Sequence, residues 1–171
     1  NKLLDVVSDS GTAASCITIK ADFIYGDGFA DENVAKELVN PNETFDALLD
    51  KISPYSSTFE AVVFNVQFGV DGQPAATYNI PFQTVRKKKD GTFKVSPNYG
   101  LADFKEDETI IYKPFVKNQP PEERLVEVAA QIEKYGKQLG QISYVFRETP
   151  KAIHYPVPDY FSGIDDVRAD A

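Results

Sequence analysis

The sequence predicts an α+β fold: a mixed, mainly antiparallel sheet built on a central hairpin over residues 59–86, with helices flanking it. Three observations carry this. Val62, Phe64, Val66, Phe68 and Val70 occupy alternate positions, the period of a strand with one strongly apolar face. After Asp71-Gly72, the residues Ala76, Tyr78, Ile80 and Phe82 alternate in the same way, so a second strand returns through a short turn and shares the inner face. Helical periodicities and shorter strand patterns lie on both sides of this hairpin, as in folds where helices cover an antiparallel sheet. At roughly 1.5–3 kcal/mol for each large apolar side chain buried, this is the strongest local core in the chain.

The elements follow in order. Residues 1–9 and 12–25 read as two helices separated around Ser10-Gly11, with Ala13, Ile17, Ala21 and Ile24 on one face of the second. Gly26-Asp27-Gly28-Phe29 stops that helix. Its Gly-x-Gly lacks the preceding strand and the third glycine of a dinucleotide fingerprint, so it reads as a turn and not as a phosphate cradle. A further helix is expected to start within residues 40–43, capped by Asn40 or Asn42, and to bury Phe45, Leu48, Leu49 and Ile52 until Pro54 ends or kinks it. Beyond the central hairpin, residues 84–95 read as a second hairpin with a basic tip, and residues 108–115 as a strand.

Pro120-Pro121-Glu122-Glu123 opens the clearest helix, with prolines where no amide hydrogen is needed and acids where the helix dipole favours them. Leu125, Val128, Ala129, Ile132 and Tyr135 form its apolar stripe, expected to face the sheet. Residues 140–147 read as another strand. Tyr155-Pro156-Val157-Pro158-Asp159-Tyr160 is an extended, proline-stiffened connector. Residues 1–157 therefore form one domain, and 158–171 begin a C-terminal helix that the sequence leaves unfinished. With no initiator methionine ahead of a helical opening, the chain reads as a fragment.

The chain has 171 residues and a formal net charge of -8, from 18 Lys and Arg against 26 Asp and Glu. Such an acidic surface repels phosphate backbones and argues against an ordinary nucleic-acid-binding domain, although not against a channel lining that must not adhere to DNA. The single cysteine, Cys16, cannot form an internal disulfide, which fits a reducing compartment better than a secreted scaffold. No apolar run reaches the length of a membrane span and no signal-peptide order opens the chain, so it reads as soluble.

Catalytic patterns are scarce. Cys16 and the one histidine, His154, lie far apart in sequence with no motif around either, and no metal-ligand spacing or cofactor fingerprint is present. Asp159, Asp165, Asp166 and Asp170 are close in sequence and read as a solvated helix face. No active site is expected. The candidate interaction residues are Lys87, Lys88 and Lys89, whose adjacent charges attract anions or guard a sheet edge, and Tyr155, Asp159 and Tyr160 on the connector.

Taken together, the order of pieces resembles the N-terminal half of tailed-bacteriophage portal proteins. The similar features are the helix ending in Gly26-Asp27-Gly28-Phe29, the short helix around residues 44–53, and the strand over 59–70 with its Asp-Gly turn. They continue with Ile80-Pro81-Phe82 followed by Val85-Arg86, the strand at 108–112, and Tyr155-Pro156-Val157-Pro158-Asp159-Tyr160 leading into a helix. The resemblance covers most of the chain and implies a portal wing region. It further implies a homo-oligomeric ring, twelve subunits in the full-length protein, at one capsid vertex of the virion, assembled in the host cytoplasm. Such a ring conducts double-stranded DNA without binding it specifically and docks the terminase large subunit and the head-tail connector or capsid proteins. It implies no cofactor and no catalysis.

Two other readings stay open. One is a ligand- or carbohydrate-binding module using Tyr99, Tyr155 and Tyr160 beside carboxylates. The other is a hydrolase built on the carboxylates or on Cys16 and His154, which requires those groups to converge in a cleft.

Overall fold

A computed structural model describes residues 2–99, 101, 104–106, 109–146 and 155–164. Two helices open the chain, α1 (Lys2–Asp9) and α2 (Gly11–Tyr25). Ser10 between them has extended backbone, and its hydroxyl accepts from the Ala13 N–H, which caps α2. Gly26, at φ 58°, ends α2, as the glycine spacing predicts. A short α3 (Glu32–Lys36), capped by Asp31, leads into two small strands, β1 (Leu38–Asn40) and β2 (Glu43–Thr44).

At this point the structure corrects the sequence reading, which starts a helix at residues 40–43. Neither Asn40 nor Asn42 is its cap. The Asn40 side chain accepts from the Asn42 N–H and donates to Glu43 and to the Thr77 carbonyl, so it closes the β1–β2 turn and ties it to the large sheet. Helix α4 (Phe45–Phe59) begins instead at Thr44, whose hydroxyl accepts from the Ala47 N–H. Pro54 does not end α4 either. It forfeits one helical hydrogen bond, while Leu48, Ser53, Ser57 and Phe59 are buried on both sides of it, and the Ser57 hydroxyl donates to the Ile17 carbonyl of α2. The helix stops at Glu60, in the left-handed conformation.

The remaining elements are β3 (Ala61–Phe68), β4 (Pro74–Ile80), β5 (Val85–Lys87), β6 (Phe93–Val95), β7 (Ile110–Pro114), α5 (Pro121–Tyr135) and β8 (Gln141–Phe146). Six strands form one sheet in the order β4-β3-β8-β7-β6-β5. All neighbours are antiparallel except β7 and β8, which are joined through α5 as a parallel crossover demands. The fold is α+β as expected, but the β3–β4 hairpin is not at the centre of the sheet: β4 is an edge strand, and β8 pairs along the other side of β3 and carries the sheet on to β7, β6 and β5. The turn of that hairpin spans residues 69–73: the Gly69 N–H donates to the Gln73 carbonyl, the Asp71 carboxylate accepts from the Gln73 N–H, and Gly72 takes φ 71°.

The buried face of β3 is not the one its alternation predicts. Ala61 and Val63 are 1% and 0% exposed, whereas Val62 and Phe64 are half-buried and Val70, in the turn, is 98% exposed. Val66 and Phe68 are buried as expected. β3 lies between two strands with cover on both sides, and alternation reports burial only where one face meets water. Its innermost side chain, Val63, joins Val85, Phe93 and Ile142 in the central cluster, with Phe82 and Tyr144 packed against it.

Helix α5 follows its expected orientation only in part. Leu125 and Val128 of the apolar stripe are half-buried, but Ala129, Ile132 and Tyr135 are exposed, while Arg124 is 3% exposed and Glu127 and Gln131 are half-buried. The Arg124 guanidinium donates to the carbonyls of Gly72, Val116 and Lys117 and lies over the Phe68 and Phe115 rings. Glu127 accepts from Lys113, Gln119 and Gln141. Burial pushes the Glu127 carboxyl up, but these donors outweigh it and hold the group below its ordinary range. Gln131 accepts from the N–H groups of Leu139 and Gly140 and donates to the Gly140 carbonyl. The four carbonyls and two N–H groups bound by Arg124 and Gln131 thus draw the polar side of α5 inwards beside Leu125 and Val128.

After Pro158 the chain forms a 3-10 turn, Asp159–Gly163, and Ile164 is helical. The rest of the helix expected over 158–171 falls on residues 165–171, outside the described residues, as do Asp165, Asp166 and Asp170, and His154 lies outside them too. No helix among the described residues is long and apolar enough to cross a membrane.

Candidate interaction site at the basic hairpin and the connector

The β5–β6 hairpin forms because Val85 and Phe93 enter the central cluster while Arg86 and Lys94, paired across the hairpin, lie on the other face; Lys87 is opposite Phe93 and half-buried. Gly91 adopts φ 84° in the turn, and Asp90 accepts from the Thr92 N–H and hydroxyl. Lys88 donates to Asp90 at 2.8 Å; that ammonium and Thr92 hold the Asp90 carboxyl well below the usual carboxylate range. Lys94 pairs with Glu106. Arg86 donates to the carbonyls of Gln83 and Val85 and stacks over the Tyr99 ring at 4.8 Å. Among the described residues no ion pair holds Lys87 or Lys89, so of the three candidate lysines these two carry the unspent charge of the tip.

The connector runs back over this hairpin. The Tyr155 hydroxyl bonds the peptide groups of Lys87, the Tyr160 hydroxyl donates to the Thr58 carbonyl at 2.6 Å, and Asp159 accepts from Lys20 at 2.8 Å. Lys20 also reaches Glu60 at 3.2 Å. The Lys20 hydrogen bond holds Asp159 below its ordinary pKa, and the phenol of Tyr160 is pushed up to about 12, first by burial and then by Asp159 and Glu60. One segment therefore touches α2, the end of α4, and β5, and it brings Lys87, Tyr155, Asp159 and Tyr160 into one region. It does not bring them around one point: Tyr160 and Asp159 face the helices, and Tyr155 faces the sheet edge.

Between the connector and the hairpin lies a groove of about 440 Å³ lined by Phe59, Phe82, Val85, Arg86, Pro156 and Pro158, with Tyr155 at its side. Phe59 and Phe82 stack at 4.7 Å within it. The sequence reading did not single out these two rings as a site. Their signal is positional, since they bracket the central hairpin and so end on the same side of it. Cys16 is exposed on α2. Tyr99 lies beneath Arg86, and Asp159 is engaged by Lys20. Among the described residues no three His, Cys, Asp or Glu side chains come together in a way that could hold a metal ion. The groove presents apolar rings with a cationic rim, an arrangement suited to docking a surface. No protein-family model matches the chain, and comparison with curated proteins returned no match.

Proposed function

We propose that this chain is wing-region structure of a bacteriophage portal ring, acting by shape and contact and performing no catalysis itself. The reading rests on the resemblance in the order of sequence pieces, and one structural observation supports it above others. The connector is fastened at three successive points, Tyr155 to β5, Asp159 to α2 and Tyr160 to the end of α4. A wing needs such fastening, because the segment leading towards the stem must leave the domain in a fixed direction if subunits are to close around one axis. The acidic balance of the chain suits a conduit that passes DNA without adhering to it. Electron microscopy of the natural full-length protein carrying this sequence tests the reading: rings with a central channel are expected, and dispersed monomers at micromolar concentration would overturn it.

The groove beside Phe59 and Phe82 favours one second reading, a ligand-binding module. That reading requires saturable binding of a small molecule by the monomer, which calorimetry against a panel of oligosaccharides measures.

A further inference from the structure

We infer that two surfaces at opposite ends of α4 dock on each other head to tail between copies of this chain, an inference that rests on the ring reading and names the contact within it. The charge of the molecule is segregated. Residues 21–50 hold eight Asp and Glu against the single Lys36, and residues 86–94 hold five Lys and Arg against the single Asp90. The acidic part gathers at the start of α4, where the Phe45 N–H donates to the Glu37 carbonyl and the Phe29 and Phe45 rings meet edge to face at 6.2 Å. Apolar side chains of this acidic stretch stand exposed: Leu38 is 63% exposed, and Phe29 and Val34 are exposed as well.

The other end of α4 carries the converse surface. Phe59 closes the helix and lines the aromatic groove, Arg86 supplies the basic side chain of its lining, and Lys87 to Lys89 follow Arg86 into the hairpin tip. A helix of 15 residues separates the two, about 22 Å at ~1.5 Å per residue. An apolar centre rimmed by acids and an apolar groove rimmed by bases complement each other in both respects. They are different surfaces held apart by one rigid element, so their pairing is heterologous and propagates from copy to copy, closing into a ring when the rotation per step allows. A self-complementary two-fold dimer would not need this separation. The occupant of the groove is therefore a second copy of this chain, with Leu38 as the apolar anchor.

The test uses the natural full-length protein, with assembly followed by mass photometry across a concentration series and melting curves to confirm folding. Lys87→Glu with Lys89→Glu is expected to raise the concentration needed for assembly roughly tenfold or more. Asp27→Lys with Glu37→Lys is expected to do the same, as is Leu38→Asp alone, and the four charge changes together are expected to recover assembly. Wild-type protein that never assembles would overturn the portal reading and this inference together. Wild-type rings that persist unchanged in both reversal variants, or a four-site variant that stays dispersed, would overturn this inference and leave the ring standing.

Discussion

The Tyr155 hydroxyl engages both peptide groups of Lys87, accepting from its N–H and donating to its carbonyl, each at 3.1 Å. β5 is the last strand of the sheet, and the backbone groups of Lys87 are turned outwards from β6, since it is Arg86 and Lys94, and then Lys88 and Thr92, that pair across the hairpin. One phenol thus stands where a neighbouring strand would, and the Arg86 guanidinium covers the adjacent Val85 carbonyl at 2.8 Å. An open edge is a template for unwanted pairing. Here a side chain 68 residues further along the chain closes it.

Tyr155→Phe keeps the ring in the groove and removes only the hydroxyl. The contacts are solvent-exposed, so the stability lost is small, under about 1 kcal/mol. The larger effect is expected at the edge. Amide exchange at Lys87 measured by mass spectrometry should quicken, while exchange at Val63 in the centre of β3 should not change. Equal protection at Lys87 in both proteins would show that the hydroxyl does not close the edge.

Arg124 is the side chain whose loss should cost most for its place on a surface helix. Replacing it by Met keeps the packing over Phe68 and Phe115 but takes a donor from the carbonyls of Gly72, Val116 and Lys117, of which, among the described residues, Val116 alone keeps another, the Gln119 N–H. Losing a buried charged donor of this kind costs about 2–3 kcal/mol, which for a chain of this size lowers the melting temperature by roughly 5–10 °C. Arg124→Lys should recover little, because one ammonium cannot span carbonyls that a planar fork reaches together. Differential scanning fluorimetry of the three proteins decides this.

These two cases mark what the sequence makes legible. The hairpin over 59–86, the second hairpin and the breaks at Ser10 and Gly26 follow from local periodicity and capping, which neighbouring residues settle by themselves. The start of α4 does not, because Asn40-Pro41-Asn42-Glu43 can spell either a cap or a turn. The choice falls to the turn through the Thr77 carbonyl, 37 residues away. The orientation of α5 is hidden for the same reason: its apolar stripe is visible in the sequence, but the carbonyls that draw Arg124 inwards belong to a loop 52 residues earlier and to the loop before the helix. The candidate site was half legible. Lys87 and Tyr155 carry recognisable signals singly, whereas their bond, and the stacked Phe59 and Phe82 beside it, depend on how the sheet folds back.

Gly140 should tolerate no side chain. It sits at φ 78°, and a Cβ there would lie 2.3 Å from the Val66 carbonyl oxygen and 3.0 Å from the Asn65 amide. Backbone cannot yield as a side-chain tip can, and the same position feeds the N–H and carbonyl that Gln131 binds. Gly140→Ala combines left-handed strain with this clash, and a loss of about 3 kcal/mol or more is expected, read as an earlier urea midpoint. Gly91→Ala is the control: it shares a positive φ, 84°, but meets nothing within 4 Å. It should cost about 1 kcal/mol, the backbone strain alone.

Alkaline pH should loosen the hold of the connector on α4. The Tyr160 phenol is raised to about 12 by burial, with Asp159 and Glu60 adding to it, and it donates to the Thr58 carbonyl at 2.6 Å. A phenol with its folded pKa above the unfolded value near 10 keeps its proton longer in the native state. Its contribution is therefore complete below about pH 10 and is lost progressively as the pH rises towards 12. Tyr144, whose burial among Phe82, Phe93 and Phe146 also pushes its phenol up, adds to the same decline and belongs to the sheet. Tyr160→Phe should consequently be less stable than wild type at pH 8, through the missing hydrogen bond, and fall less steeply between pH 10 and 12, so that the two stability curves converge. Parallel curves across that window, measured by urea titration at each pH, would show that Tyr160 does not hold its proton through the contact with Thr58.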